Sequence, residues 1–398
     1  MKEYIHPYEH NLAREIERVK ESQILESNKE LILKFHQHNL AQGISMPRME
    51  RQTSVLRKTA CQMKKDFKAL TKDDYVAFLA WMRQENYKEG SIWTYKNILS
   101  VFHKWLNNGT KPDCIAWFKN KKLQNKILPE QLLSQEDIKN LIKAADNKRD
   151  KALISMLWET GARVGEIGNA RIKDISFDDF GARVFLNGKT GMRKVRIVHS
   201  APYLLDWFNE HPYSKNIDAP LWICTNQKQC DKIGYNSIVK ILRTAKARAG
   251  IQKPINPHQF RHSRATYTAQ FLTDAQMKEY FGWGQDSKMA ARYVHLSGKQ
   301  VDDAILTMCG LKKKEEQKDI LQREPCPRCK HLNEVNSSHC QQCWLPLTIE
   351  ATREMKETEE KDQEGLISLM KLLELAGNNP EKVRQALIIL QQNNTGRY

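Results

Sequence analysis

The sequence predicts a mainly α-helical protein with one small β-hairpin or sheet, an α+β chain divided into several compact units. Apolar residues recur at helical spacing over most of the chain, and the pattern changes to strands only between Ile175 and Val198. The length, 398 residues, exceeds what one hydrophobic core organises. The expected division is an N-terminal extension (1–26), a helical domain (27–110), a linker (111–130), a second domain (131–310), a cysteine-bearing module (322–348) and a helical tail (350–398).

In the helical domain, Ser27 and Glu30 form a capping-box pattern ahead of Leu31, Ile32 and Phe35, with Gly43 as a stop. Thr71 precedes Tyr75, Phe78, Leu79 and Met82, and Ser91 precedes Tyr95, Ile98, Leu99 and Phe102, each at helical spacing. The polar positions are rich in Lys and Arg, including Arg48, Arg51, Arg57 and Lys58. That suits phosphate contacts and equally suits an ordinary solvated surface. Gly109, Pro112, Pro129 and the basic run Lys119 to Lys126 mark the linker.

In the second domain a helix starts at Ser134, and another, carrying Leu153, Ile154 and Leu157, ends at Gly161. Val184 to Leu186 and Val195 to Val198 flank a turn at Gly188 to Gly191, a hairpin pattern. Helices resume near Tyr235 and run past Tyr293. In the tail, Leu366, Leu369, Met370 and Leu373, then Val383, Leu387 and Leu390, suggest two short amphipathic helices, suited to protomer contact or to packing on their own domain.

The balance of 64 Lys and Arg against 47 Asp and Glu gives a formal charge of +17, which asks for an anionic partner. Nucleic acid leads. No stretch approaches the roughly 20 apolar residues of a membrane span. Met1 to Ser22 lacks the apolar core of a secretory signal, so an intracellular, cytoplasmic protein is expected. Cys61, Cys114, Cys224, Cys230 and Cys309 are scattered without a pairing pattern.

The remaining four cysteines are different. Cys326-Pro-Arg-Cys329 and Cys340-Gln-Gln-Cys343 offer four thiolates from two tight knuckles, the donor set of a structural Zn²⁺ ion. Four sulfurs leave no coordination position for a reacting water. Such a ribbon suits DNA or a protein partner, and its residues do not decide between them.

Further candidates for chemistry lie between Thr160 and Tyr293. Asn256 and Pro257 are an N-cap and first helical residue, placing His258 and Arg261 on one face near a helix N-terminus, a natural phosphate site. His258 and His262 at i,i+4 also suggest a metal pair, but Gln259 stands where HExxH needs Glu. Gly188-Lys189-Thr190 imitates the end of a phosphate-binding loop, yet the required earlier glycine is replaced by Arg183, so ATP use is not expected. Asp178 with Asp179 and Asp302 with Asp303 sit in loop-like surroundings that favour turn and cap roles over a two-metal nuclease.

Together these motifs, in this order, resemble the tyrosine recombinase (phage integrase) family over roughly residues 28 to 300. Thr160-Gly-Ala-Arg-Val-Gly-Glu-Ile167 resembles its first-arginine box, His258-Gln-Phe-Arg261 its HxxR box, and Tyr293 falls where the family has its nucleophile. The resemblance implies a helical core-binding, DNA-binding domain, a tyrosine recombinase catalytic domain and a small zinc ribbon. It implies catalytic roles for Arg163, Lys189, His258, Arg261, Trp283 and Tyr293, with Glu166 in support and Lys194 as an alternative to Lys189. Trp283 stands where most members have His, and an indole positions rather than shuttles protons. The terminal CxxC pairs add a likeness to archaeal integrases.

The implied activity is site-specific recombination of double-stranded DNA through a 3′-phosphotyrosyl intermediate, serving integration, excision or resolution. A tetramer on DNA, no catalytic metal and a nucleoid location follow from the same resemblance. The rivals are DNA relaxation of the type IB topoisomerase kind and a non-catalytic DNA-binding regulator that kept the fold.

Overall fold

Helices α1 (Tyr8–Glu21), α2 (Glu26–Ala41), α3 (Met46–Met63), α4 (Lys72–Gln84), α5 (Glu89–Leu106) and the single turn α6 (Asp113–Ala116) pack around one apolar centre. The structure, a computed structural model, describes residues 5–119, 128–188, 191–225, 231–296, 306, 309, 323, 325–333, 337–355, 357 and 358. Ile32, Phe35, Leu56, Phe67, Tyr75, Leu79, Leu99 and Phe102 fill that centre. Thr71 caps α4 as its sequence suggests, its hydroxyl accepting from the Asp74 amide.

Two local capping expectations fail. Ser27 lies inside α2 and its hydroxyl donates to Asp66 at 2.5 Å, so it is not a cap. Ser91 lies in the first turn of α5, which begins at Glu89. The stretch expected as an extension contains α1, whose buried Leu12, Glu15 and Val19 face α3. Glu15 is tied there by Arg57 at 2.8 Å and Arg18 at 3.0 Å. Ile5, just ahead of α1, crosses to the second domain. Its amide donates to Asn169 Oδ1 at 3.0 Å, its carbonyl accepts from Tyr235 N at 3.1 Å, and its side chain joins that domain's core.

The second domain is built on α8 (Lys148–Thr160), buried on all sides from Ala152 to Thr160 and flanked by α7 (Gln135–Ala144). Ser134 caps α7 in a full capping box with Asp137. After the short α9 (Val164–Gly168), strands β1 (Ile175–Asp178), β2 (Gly181–Gly188) and β3 (Gly191–Ile197) form an antiparallel meander. The hairpin register pairs Val184 with Val195, Leu186 with Arg193 and Gly188 with Gly191. Ala182, Val184 and Leu186 point into the core, and the residues between them point out. Asp178 takes a structural role, bonding the Phe180 amide and pairing with Arg196 and Arg183.

A helix absent from the sequence reading, α10 (Ser200–Glu210), follows the sheet. Its N-terminus has no local cap. Instead the Glu159 carboxylate, on α8, accepts from the amides of Val198, His199 and Ser200 at 2.7, 3.1 and 2.6 Å. A remote carboxylate thus takes the amides that lead into the helix, the last of them its first residue. Helices α11 (Tyr235–Arg248), α12 (Pro257–Thr268), α13 (Asp274–Phe281) and α14 (Met289–Leu296) complete the domain. Lys189, Asp302, Asp303 and the tail residues from Leu366 to Leu390 lie outside the described residues.

Gly161 ends α8 in the left-handed conformation, with φ of 52°. A Cβ there would lie 2.5 Å from the Phe281 ring and 3.2 Å from Arg264. The backbone conformation costs an alanine about 1–2 kcal/mol, and the crowding about 1–3 kcal/mol more. Gly161→Ala is therefore expected to lower the midpoint of thermal unfolding clearly; an unchanged midpoint would show that α8 ends under no such constraint.

Candidate active site

Where α8 stops, Arg163 becomes the residue preceding α9. Its amide and guanidinium donate to the two carboxylate oxygens of Glu166, at 2.9 and 2.8 Å. Glu166 is buried and receives a second guanidinium, Arg193 from β3, at 2.7 Å. Burial alone raises a carboxyl pKa; here Arg193 and Arg163 outweigh it and hold Glu166 below its ordinary value. Arg193 also donates through Nε to the Tyr280 carbonyl at 2.9 Å, so one carboxylate and one guanidinium join α9, the hairpin and α13. The hairpin comes close to this pair: a Cβ on Gly188 would fall 2.3 Å from Glu166 Oε1.

Asn256 caps α12 as expected, accepting from the Gln259 amide at 3.0 Å, with Pro257 in the first turn. Arg261, one turn on, is buried. Its Nη1 and Nη2 donate to the carbonyls of Gly161 at 2.9 Å and Phe281 at 2.7 Å, so the fork is fixed by two helix ends. Burial first, then the neighbouring Arg163, lower its pKa to about 10, which leaves it charged at neutral pH. His258 is exposed on the same helix, and local desolvation followed by Arg261 and Arg163 pushes its pKa down.

Tyr293 on α14 is 1% exposed. Its ring stacks on Trp283, with centroids 5.6 Å apart and planes 4° from parallel. Trp283 in turn stacks on Phe281 at 4.8 Å and lies 5.6 Å from the Arg261 guanidinium. The Tyr293 hydroxyl is 2.5 Å from His262 Nδ1. Burial raises the Tyr293 pKa above its ordinary value, opposed by Arg261 and Arg292. The two histidines of α12 touch edge to face, centroids 4.4 Å apart. An anion entering here meets two arginines and a histidine beside a buried phenol.

This arrangement has counterparts. Residues 131–300 match the phage integrase family. They form an integrase domain. Over 242 residues the chain is 28% identical to the tyrosine recombinase XerA of Pyrococcus furiosus, covering 59% of this chain and 80% of that protein. The XerH recombinase bound to its difH substrate aligns with a TM-score of 0.51 at 17% identity, over 77% of this chain and 99% of that one. A lambda integrase dimer bound to a COC' core site aligns at 0.53 and 16% identity, over 68% and 78%. These likenesses establish the fold, a mainly helical chain with a small antiparallel sheet.

Within the integrase domain the structure gathers Arg163, Glu166, His258, Arg261, Trp283 and Tyr293. Two residues the sequence reading did not assign to the site join them. Arg193 could have been found from strand alternation, because it shares the inward face with Val195 and Ile197. Lys194 lies on the opposite face, exposed, its ammonium 5.5 Å from the Phe185 ring. The second is His262, whose bond to Tyr293 spans 31 positions. Its only local signal was its place one turn after His258. Among the described residues no helix is long and apolar enough to cross a membrane.

Outside the integrase domain, the Sγ atoms of Cys326, Cys329, Cys340 and Cys343 all lie within 4.8 Å of one another. Two of the separations are 3.6 and 3.5 Å. A tetrahedral ion with bonds of about 2.3 Å places its sulfurs about 3.8 Å apart, so the set fits a metal ion of that kind. The two knuckles are built alike. Lys330 N donates to the Cys326 carbonyl and Trp344 N to the Cys340 carbonyl, both at 2.9 Å, with φ of 61° and 59° at the donors. Arg323 docks the module on the integrase domain, reaching Asp206 of α10 at 3.0 Å and lying 5.0 Å from the Tyr203 ring.

Proposed function

We propose that this protein is a site-specific DNA recombinase that cuts and rejoins duplex DNA through a 3′-phosphotyrosyl bond on Tyr293. One observation carries the reading: a buried tyrosine is held by stacking and a hydrogen bond beside a buried arginine whose fork is fixed by two carbonyls. A phenol is a poor nucleophile at neutral pH, with a reference pKa of about 10, unless cations stabilise the developing charge. Arg261 has N–H donors left after binding Gly161 and Phe281. With Arg163 it clamps the non-bridging oxygens of the scissile phosphate, and His258 hydrogen bonds and exchanges protons there. Glu166 holds Arg163 in place, and Trp283 fixes the phenol ring. Lys189, which follows Gly188 in the chain, protonates the departing 5′ oxygen, a role carried over from the family resemblance. A 5′ hydroxyl of a second duplex then reverses the reaction without ATP.

Exchange between two duplexes requires four such sites, so the assembly is a tetramer on double-stranded DNA, in the cytoplasm at the nucleoid. The relatives' names and the DNA-bound neighbours support this partner. Residues 27–110, together with α1 and α6 that pack on them, form the core-binding domain, 131–310 the catalytic domain and 322–348 the zinc ribbon. Its Cys326, Cys329, Cys340 and Cys343 hold a structural Zn²⁺ ion.

A library of nicked random-sequence duplexes is the test, with capture of SDS-resistant protein-DNA adducts. Wild type is expected to enrich one sequence as a 3′ adduct, and Tyr293→Phe to give none. Binding without any adduct across the library would overturn the proposal in favour of a regulator.

A further inference from the structure

The proton of the attacking tyrosine has to go somewhere, and the exchange assigned to His258 takes place at the phosphate, whereas the phenol itself touches His262. Tyr293 is 1% exposed, which keeps bulk water from its hydroxyl. Among the described residues its hydrogen-bond partner is His262 Nδ1, at 2.5 Å. His258 and Arg261 share α12 with His262, and Arg292 and Tyr293 face it from α14. We infer that His262 is a catalytic residue, the general base that takes the Tyr293 proton during strand cleavage and returns it during rejoining. The inference rests on the reading of Tyr293 as nucleophile.

In the step, the Tyr293 oxygen bonds to phosphorus while the bond from phosphorus to the 5′ oxygen breaks. The phenolic proton moves to His262 Nδ1, and the 5′ oxygen takes a proton from a separate acid. Rejoining runs the same transfers backward, so protons and electrons balance over the cycle. The geometry supplies contact with the reacting atom, and the role requires a neutral imidazole in the tautomer whose proton is on Nε2. Burial first, then His258 and Arg292, lower the His262 pKa to about 4, so it is unprotonated at neutral pH, and the proton crosses to it as the phenolic oxygen bonds to phosphorus and becomes acidic. His262 is held in place on the middle of α12, the helix that also fixes Arg261. The second histidine of the His258–His262 pair thereby gains a role that needs no metal.

The test uses the full-length protein and the nicked duplex enriched from the library, in its natural form and with sulfur replacing the scissile 5′ oxygen. A thiolate leaves without protonation, so the sulfur substrate hides the loss of an acid and exposes the loss of a base. His262→Asn keeps an acceptor near the Nδ1 position and His262→Ala removes it. Both are expected to bind the duplex as wild type does and to slow single-turnover adduct formation by about 10²–10⁴-fold, equally on both substrates. In His262→Asn the rate should climb with pH as Tyr293 ionises unaided, while wild type stays level across the neutral range. A structural defect would lower the rate without changing that dependence. Wild-type rates in both variants, a pH dependence parallel to wild type, or a loss cured by the sulfur substrate would each overturn the inference. Should wild type itself form no adduct, the recombinase reading would fail, an outcome distinct from slow variants of an active wild type.

Discussion

Arg261→Ala is expected to slow covalent adduct formation by about 10³–10⁵-fold, the range for an arginine that stabilises phosphoryl transfer. The effect should be large because Arg261 does two things at once. In the proposed chemistry its charge sits where the phosphorane develops, and its buried setting strengthens each interaction. Its fork also binds the Gly161 and Phe281 carbonyls, so it links the end of α8 to the end of α13 and places Trp283 and Tyr293. Leaving buried carbonyls unpaired costs about 1–3 kcal/mol each, so the variant should also melt earlier. Arg261→Lys should recover little, because an ammonium cannot reproduce the planar fork. Single-turnover adduct assays alongside thermal unfolding separate the two contributions. A lysine variant with near wild-type rates would mean that charge alone matters and that the fork does not set the geometry.

The second large effect concerns the cysteine module. The purified protein is expected to carry one zinc ion per chain, and Cys340→Ser or a strong chelator should release it. Structural zinc contributes about 10–16 kcal/mol of apparent binding free energy in small peptides at pH 7. Among the described residues of the module the buried ones are Cys326, Cys340 and Asn333, which offer little apolar core to replace that. Hydrogen exchange should accelerate across residues 325–346 and at Asp206 and Tyr203, where Arg323 docks. Adduct formation on Tyr293 should persist in chelator, since no step of the proposed chemistry uses a metal. Loss of the adduct together with zinc would tie the module to catalysis, and unchanged exchange after zinc release would remove its structural role.

Two acid-sensitive groups frame the site's pH behaviour. Glu166 and His262 both have folded pKa values below their unfolded ones. Each therefore stabilises the fold fully above its unfolded value and loses that contribution as pH falls through the folded one.

What could be read from the residues was local or repeated at short spacing. Asn256 with Pro257, Thr71 with Asp74, Ser134 with Asp137 and Gly161 mark helix ends because a cap acts within one turn. The paired CxxC knuckles and the ordered boxes around Arg163, His258, Arg261 and Tyr293 likewise carry their spacing in the chain. Other features depended on partners far along it. Glu159 caps α10 across 39 to 41 positions, and Ser27 leaves its cap pattern for Asp66, 39 positions away. Arg193 reaches Glu166 across 27 positions, and His262 meets Tyr293 across 31. The Glu159, Arg193 and His262 pairings follow from how α8, α12 and the hairpin bury their apolar faces against one another, and the Ser27 pairing from the packing of the N-terminal helices. A buried polar group must find a partner wherever packing brings one, and no local rule names that partner in advance.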